Sequence, residues 1–199
     1  MISRSLLPAH EVPPCVYYLP GYGGRLDTGL GQGLLGRGLN VAGRETVGEF
    51  RYLPFDEQVD VIREDLTSHF WHPQARVLAN SFGAYLFLNA QMAMKAFPGR
   101  VLLLSPIVGR FEDNEKGLAF EPPYAERLLE RVQFSPFGMP ADCDIHVGEL
   151  DWQSEPSAVQ QFGQRLGIPV TVVPGKGHML GASYVGPLLD RWLSPGVSC

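Results

Sequence analysis

Short apolar runs alternate along this chain with longer stretches of helical periodicity. Residues 15–19, Cys-Val-Tyr-Tyr-Leu, are apolar and β-prone and are stopped by Pro20-Gly21, which predicts a buried strand. Similar runs at 76–79, 101–104, 144–147 and 170–173 predict further strands. The run Val101-Leu102-Leu103-Leu104 has no polar alternation, as a strand covered on both faces requires. Between these runs, Val59, Ile62, Leu66 and Phe70 recur at spacings of three and four, predicting a helix over 56–70 with Asp56 as its cap. Residues 83–97 read as a helix ended by Pro98-Gly99. Residues 154–166 read as another, with Ser154 capping and Pro156 in its first turn, and 184–193 as a closing helix. Strands alternating with helices predict an α/β fold: a mostly parallel sheet of about six strands, joined by right-handed crossovers, with helices on both faces.

Two segments depart from this rhythm. Residues 26–43 carry Gly29, Gly31, Gly33, Gly36 and Gly38, yet Leu30, Leu34 and Leu35 offer an apolar face, so a helix is expected there despite its glycines. Residues 107–140 are too long for a plain crossover. They hold a helical patch at 124–132 between Pro122-Pro123 and Pro136, read as a small lid insertion over the site. There is no internal repeat and no low-complexity stretch, so residues 1–199 are read as one domain.

Composition narrows the partners. Hydrophobic residues make up 45% and charged residues 19% of 199, as in an ordinary globular protein with a sizeable core. A net charge of -5 argues against nucleic acid or an anionic membrane surface, and no apolar run is long enough to span a bilayer. The first eleven residues lack the pattern of a signal peptide. Cys15, Cys143 and Cys199 are odd in number and widely spaced, which suggests free thiols and a cytoplasmic setting, without metal-type spacing. The sequence carries no pattern that sets an oligomeric state.

The chemistry gathers around Ala79-Asn80-Ser81-Phe82-Gly83. A serine between a strand and a helix, with small residues two before and two after, has the form of a nucleophile elbow. The turn is tight, so a larger side chain at either flank would meet neighbouring backbone. Acyl transfer by serine also needs a base, a group to orient it, and donors for the developing oxyanion. Asp151 follows the strand 144–147 through Gly148-Glu149-Leu150 and is the candidate orienting acid, with Glu149 and Asp144 as rivals. His178, in Gly175-Lys176-Gly177-His178-Met179, follows the strand 170–173 and is the candidate base. The backbone N–H groups of Tyr22, after the first strand, and Phe82, after the serine, are the candidate oxyanion donors. All four positions fall at C-terminal strand ends, where open α/β sheets collect their ligands. Tyr22, Phe82 and Tyr85 suggest an apolar or aromatic acyl group, with Met179 as a further contact.

With these residues in the order Ser, Asp, His, the chain resembles a compact α/β-hydrolase over residues 15–193. The resemblance implies Ser81 as nucleophile, His178 as general base and acid, Asp151 as its orienter, and the Tyr22 and Phe82 amides as an oxyanion hole. It implies hydrolysis of a carboxylic ester or thioester of a small-molecule acyl substrate, with no cofactor and no metal. The sequence departs from the common pattern in having Pro20 before Gly21, where many members have histidine, and Ala79 as the first small residue of the elbow. The usual first hairpin is also missing, a trimmed form shared by RBBP-type serine hydrolases and small bacterial esterases. The same residues leave open a non-catalytic binding protein of this fold, or a carbon–carbon hydrolase or acyltransferase using the same three side chains.

Other signals are weaker. Gly31-Gln32-Gly33-Leu34-Leu35-Gly36 matches a dinucleotide pattern but does not directly follow a strand. His69 and His72 suit a helix terminus better than a metal pair. Glu112, Asp113 and Glu115 read as a solvated loop, and Phe111, Phe120, Phe134 and Phe137 as a small core within the insertion.

Overall fold

The computed structural model describes residues 15–113 and 117–194. Cys199, Glu115 and the first eleven residues lie outside the described residues. The strands are β1 (Cys15–Leu19), β2 (Asn40–Gly43), β3 (Arg76–Asn80), β4 (Arg100–Leu104), β5 (Phe111–Asp113), β6 (Leu118–Phe120), β7 (Asp142–Gly148) and β8 (Val170–Val173). The helices are α1 (Leu30–Leu35), α2 (Gly48–Tyr52), α3 (Phe55–His69), α4 (Phe82–Met92), α5 (Ala125–Phe134), α6 (Pro156–Leu166) and α7 (Ala182–Leu193).

Six strands form one parallel sheet in the order β2-β1-β3-β4-β7-β8. Alternate residues face opposite layers, as strand geometry demands. Tyr17, Leu19, Val77, Ala79, Val101, Leu103, Ile145 and Val147 join the core beneath α3, α4, α5 and α6. Val16, Tyr18, Leu78, Leu102 and Leu104 face the other way, against α1 and α7. The central strands are buried on both faces, which explains their unbroken apolar runs. Their C-terminal ends share one edge, and the register carries Ala79 beside Leu103 and Leu19 beside Ala79. Among the described residues no helix is long and apolar enough to cross a membrane.

Several expectations need correction. The glycine-dense stretch is not one helix. It holds the six-residue α1, a turn through Gly38 at φ 74°, and the edge strand β2. Leu34 is buried as expected, but Leu35 is exposed. Within β2, Gly43 must be glycine because a Cβ there would sit 1.9 Å from the Tyr18 carbonyl oxygen. The helix expected over 83–97 ends at Met92, and Phe97 instead packs into the core beside Phe87. Asp56 caps nothing: α3 starts after Pro54, and Asp56 accepts a hydrogen bond from Tyr124 Oη at 2.9 Å. The cap of α6 is Glu155, whose carboxylate accepts from the Ser157 and Ala158 amides, while Ser154 bonds elsewhere.

The segment 107–140 forms the antiparallel hairpin β5–β6 and then α5. Helix α5 is amphipathic and seats Leu128 and Val132 in the main core, joined by Phe137. Phe111 packs on Phe120 and Trp152, whereas Phe134 is exposed rather than part of a small core.

Candidate active site

Strand β3 runs straight into α4, and Ser81 makes the turn. Its φ of 52° and ψ of -121° lie in a region that non-glycine residues avoid, at a cost of about 1–3 kcal/mol. Surrounding hydrogen bonds hold it there. The Ser81 amide donates to the Leu104 carbonyl at 3.0 Å, and the Ser81 carbonyl accepts from Tyr85 N at 3.2 Å. Gly83 explains the small residue two places on: a Cβ there would fall 2.2 Å from the Leu19 carbonyl oxygen. The N-terminus of α4 therefore abuts the end of β1, and the Ser81 side chain projects from the shared strand edge.

The loops after β7 and β8 are laced together. Leu150 N donates to the Lys176 carbonyl at 2.7 Å and Glu149 N to the Val173 carbonyl at 3.0 Å. A Cβ on Gly148 would lie 2.2 Å from the Gly177 carbonyl oxygen, so only glycine permits this approach. Glu149 points into the lacing, where Oε2 accepts from Gly175 N at 2.7 Å. That bond accounts for Glu149 without a role beside the histidine. Asp151, with its side chain fully buried, aims at His178: Nδ1 lies 2.9 Å from Oδ1 and 3.0 Å from Oδ2. On the other side of the ring, His178 Nε2 lies 2.8 Å from Ser81 Oγ. Three side chains from three separate loops thus form one continuous hydrogen-bonded line.

Support for Asp151 comes from residues that no motif flagged. Oδ1 also accepts from the amides of Gln153 at 3.0 Å and Ser154 at 2.9 Å. Ser154 Oγ donates to the Ser105 carbonyl at 2.8 Å, tying the loop to the end of β4. Ser105 itself turns at a φ of 44°, a second strained serine beside the first.

The loop after β1 passes directly over the serine. A Cβ on Gly21 would meet Ser81 Cβ at 3.1 Å. Buried Thr46 braces this loop: its hydroxyl bonds the Gly21 carbonyl and accepts from Gly24 N at 2.9 Å. Tyr22 is exposed, and its ring meets Phe82 edge-on with centroids 5.9 Å apart. Arg51 lies 4.4 Å above the Tyr22 ring and donates to its hydroxyl at 2.5 Å.

Two cavities adjoin these groups. One, of about 280 Å³, opens between α1 and α7 with Ser81, His178 and Met179 in its wall. The other, of about 260 Å³, is aromatic, lined by Tyr22, Phe50, Phe55, Phe82 and Phe120. Tyr85, expected as a substrate contact, lines neither cavity. It is fully buried, its hydroxyl donates to the Pro123 carbonyl at 2.5 Å, and its ring backs Phe55 and Phe82. Burial pushes its phenol up to about 12. His69 and His72 are exposed, and Gly31 to Gly36 fall on α1 and its end. Among the described residues, Cys15 and Cys143 are free.

No family model matches the sequence, and no curated protein matches it. Solved structures do. The ydeN gene product from B. subtilis superposes with a TM-score of 0.62 at 14% identity, over 92% of this chain and all of that one. Alpha/beta hydrolase domain-containing protein 10 from mouse gives 0.62 at 14% identity, over 89% and 90%. TT1662 from Thermus thermophilus gives 0.61 at 17% identity, over 94% and 92%. With its parallel six-stranded sheet, its strained serine between β3 and α4 and these structural neighbours, the chain has the α/β-hydrolase fold.

Proposed function

We propose that this protein is a serine hydrolase that cleaves a carboxylic ester or thioester of a small soluble substrate through an acyl-enzyme. The observation that carries this reading is the unbroken line from Ser81 Oγ through His178 to Asp151, at 2.8 Å and 2.9 Å on either side of the imidazole. Ser81 Oγ attacks the carbonyl carbon while His178 Nε2 takes its proton. Asp151, acceptor-only and buried, keeps the proton of Nδ1 directed at itself and favours the imidazolium that forms. The tetrahedral oxyanion is held by the amides of Tyr22 and Phe82. The Phe82 amide is free of an intrahelical partner because it opens α4, and one such donor is typically worth about 10²–10³ in rate. His178 then passes its proton to the leaving oxygen, and the acyl group stays on Ser81. Water attacks that acyl carbon as Nε2 removes its proton, and collapse of the second intermediate frees the acid and restores the serine hydroxyl.

The aromatic cavity beside Tyr22 and Phe82 supports an apolar or aromatic acyl group, with the β5–β6 hairpin covering it through Phe120. A fluorophosphonate probe tests the proposal. Folded protein is expected to be labelled, Ser81→Ala is expected to lose the label, and His178→Ala is expected to lower kcat by several orders of magnitude with little change in substrate binding. Absence of label on folded, unsubstituted protein would replace the enzyme with a non-catalytic binder.

A further inference from the structure

The two cavities divide the reacting groups between them. Ser81 and His178 stand in the wall of the α1–α7 cavity, whereas Tyr22 and Phe82, whose amides are the oxyanion donors of the proposed mechanism, line the aromatic one. A general acid must lie within hydrogen-bond reach of the atom it protonates, so the leaving oxygen departs on the imidazole's side. We propose, resting on the hydrolase reading above, that the α1–α7 cavity receives the leaving group and that this group is an unbranched aliphatic alcohol.

The walls fit a hydrocarbon. Leu104, Leu180, Val185 and Leu189 are buried side chains of this cavity, and Gly33 and Gly186 leave open the space their own side chains would fill. The single charged residue of the lining, Arg37, is bonded within the protein. Its guanidinium donates to Asp190 at 2.7 Å, to the Gly33 carbonyl at 2.8 Å and to the Gly186 carbonyl at 3.0 Å. It clasps α1 to α7 rather than presenting a free charge to a ligand. Besides the reacting groups, the uncharged polar side chains of the lining are Asn80, whose Oδ1 accepts from Tyr18 Oη at 3.0 Å, and buried Ser105, whose lone hydroxyl can pair one polar group. A sugar would leave most of its hydroxyls unpaired, whereas each methylene of an alkyl chain gains by leaving water.

The test separates the two halves of the substrate. Across ethyl, butyl and hexyl acetate, kcat/KM is expected to rise about tenfold or more, because the added methylenes enter the cavity. Across p-nitrophenyl acetate, butyrate and hexanoate any rise belongs to the aromatic acyl cavity, and it is expected to be the same in the unsubstituted protein and in a variant plugged at the α1–α7 cavity. Gly33→Leu adds a side chain to the cavity wall, where its Cβ would meet nothing nearer than Arg37 Nη1 at 3.6 Å. This variant is expected to flatten the alcohol series while leaving deacylation, read from the steady state after a p-nitrophenyl acetate burst, unchanged. Ala182→Trp, at the exposed start of α7, provides the same plug should Gly33→Leu not fold. An acyl series that climbs while the alcohol series stays flat, or a plug that slows deacylation, overturns the assignment. Fluorophosphonate labelling of the same preparations keeps the two claims apart. Without label the hydrolase reading fails, and with label a flat alcohol series rejects the aliphatic leaving group alone.

Discussion

Asp151 and Ser154 are joined by a hydrogen bond of 2.9 Å from the Ser154 amide to the same carboxylate oxygen, Oδ1, that faces His178 Nδ1. This oxygen has only donors around it, since Gln153 N reaches it as well. A carboxylate suits the place because it accepts at both oxygens and donates at neither. In Asp151→Asn the amide oxygen is expected to stay with the backbone donors, leaving the NH₂ group opposed to Nδ1. The imidazole then adopts the wrong tautomer, and kcat is expected to fall about 10³–10⁴-fold with the fold intact. Glu149→Gln keeps an acceptor for Gly175 N and is expected to retain activity within about twofold. Steady-state kinetics on both variants checks the pair, and the reverse result would move the acid role to Glu149.

Gly83 has no room for a methyl group. Backbone oxygens of Leu19 and Pro20 would lie 2.2 Å and 2.5 Å from the added carbon. Backbone cannot swing aside as a side chain can, so Gly83→Ala forces α4 away from β1 and disturbs the serine turn. A loss of about 3 kcal/mol is expected, a fall of roughly 6–12 °C in Tm for a chain of this size, together with slower labelling of Ser81. A thermal melt equal to that of the unsubstituted protein would contradict the close approach.

Thr46 acts on the site through the loop it braces. Thr46→Val keeps the shape but strips the hydroxyl from the Gly21 carbonyl and from Gly24 N. Gly24 N and the Gly21 carbonyl keep their mutual hydrogen bond at 2.9 Å, so the change removes only the hydroxyl's own bonds, worth about 0.5–1.5 kcal/mol each. The loop is expected to loosen, lowering kcat about tenfold with KM little changed, because in the proposed mechanism the Tyr22 amide acts on the transition state rather than on the bound substrate. A rise in KM at constant kcat would assign Thr46 to substrate binding instead.

His146 governs a pH effect away from the serine. It is buried in β7, and its Nδ1 lies 2.8 Å from Tyr184 Oη. Burial pushes its pKa below the ordinary 6.5, with nearby Asp144 opposing and Arg191 reinforcing the shift. The unfolded chain therefore binds the proton more readily than the folded one. Stability is complete above pH 6.5 and falls as the pH drops through 6.5 toward the lowered folded-state value. Urea midpoints at pH 7.5 and pH 5 are expected to differ more for the unsubstituted protein than for His146→Gln. Equal differences would remove His146 from the effect.

Most of the sheet was legible in the chain because its signals are local. Five runs of apolar residues, each closed by a turn residue, mark β1, β3, β4, β7 and β8 within a few positions. The serine turn was legible too, from the small residues at 79 and 83, although the reason for Gly83 is long-range: the Leu19 and Pro20 carbonyl oxygens would lie 2.2 Å and 2.5 Å from an added Cβ. The edge strand β2 was not. Its Asn-Val-Ala-Gly lies in a glycine-dense stretch and becomes a strand only by pairing with β1, its residues Asn40 to Gly43 lying beside Cys15 to Tyr18. Caps were misread for a similar reason: serine, aspartate and glutamate can all cap, and which one does depends on what else claims it. Ser154 is claimed by Asp151 and Ser105, which leaves Glu155 to cap α6.

Residue types and turn chemistry alone pointed to the fold class and named Ser81, His178 and Asp151 as candidates, with Glu149 and Asp144 left as rivals for the acid, because strand ends and tight turns leave local marks in the chain. Only the tertiary structure decided that these side chains meet, that Glu149 serves the loop instead of the imidazole, that Tyr85 is walled in, and that Ser81 and its neighbour Phe82 line two cavities of different character. Such facts depend on the order in which distant strands pair and on the faces that α1 and α7 present to each other. Those are long-range packing relations, and no window of neighbouring residues contains them.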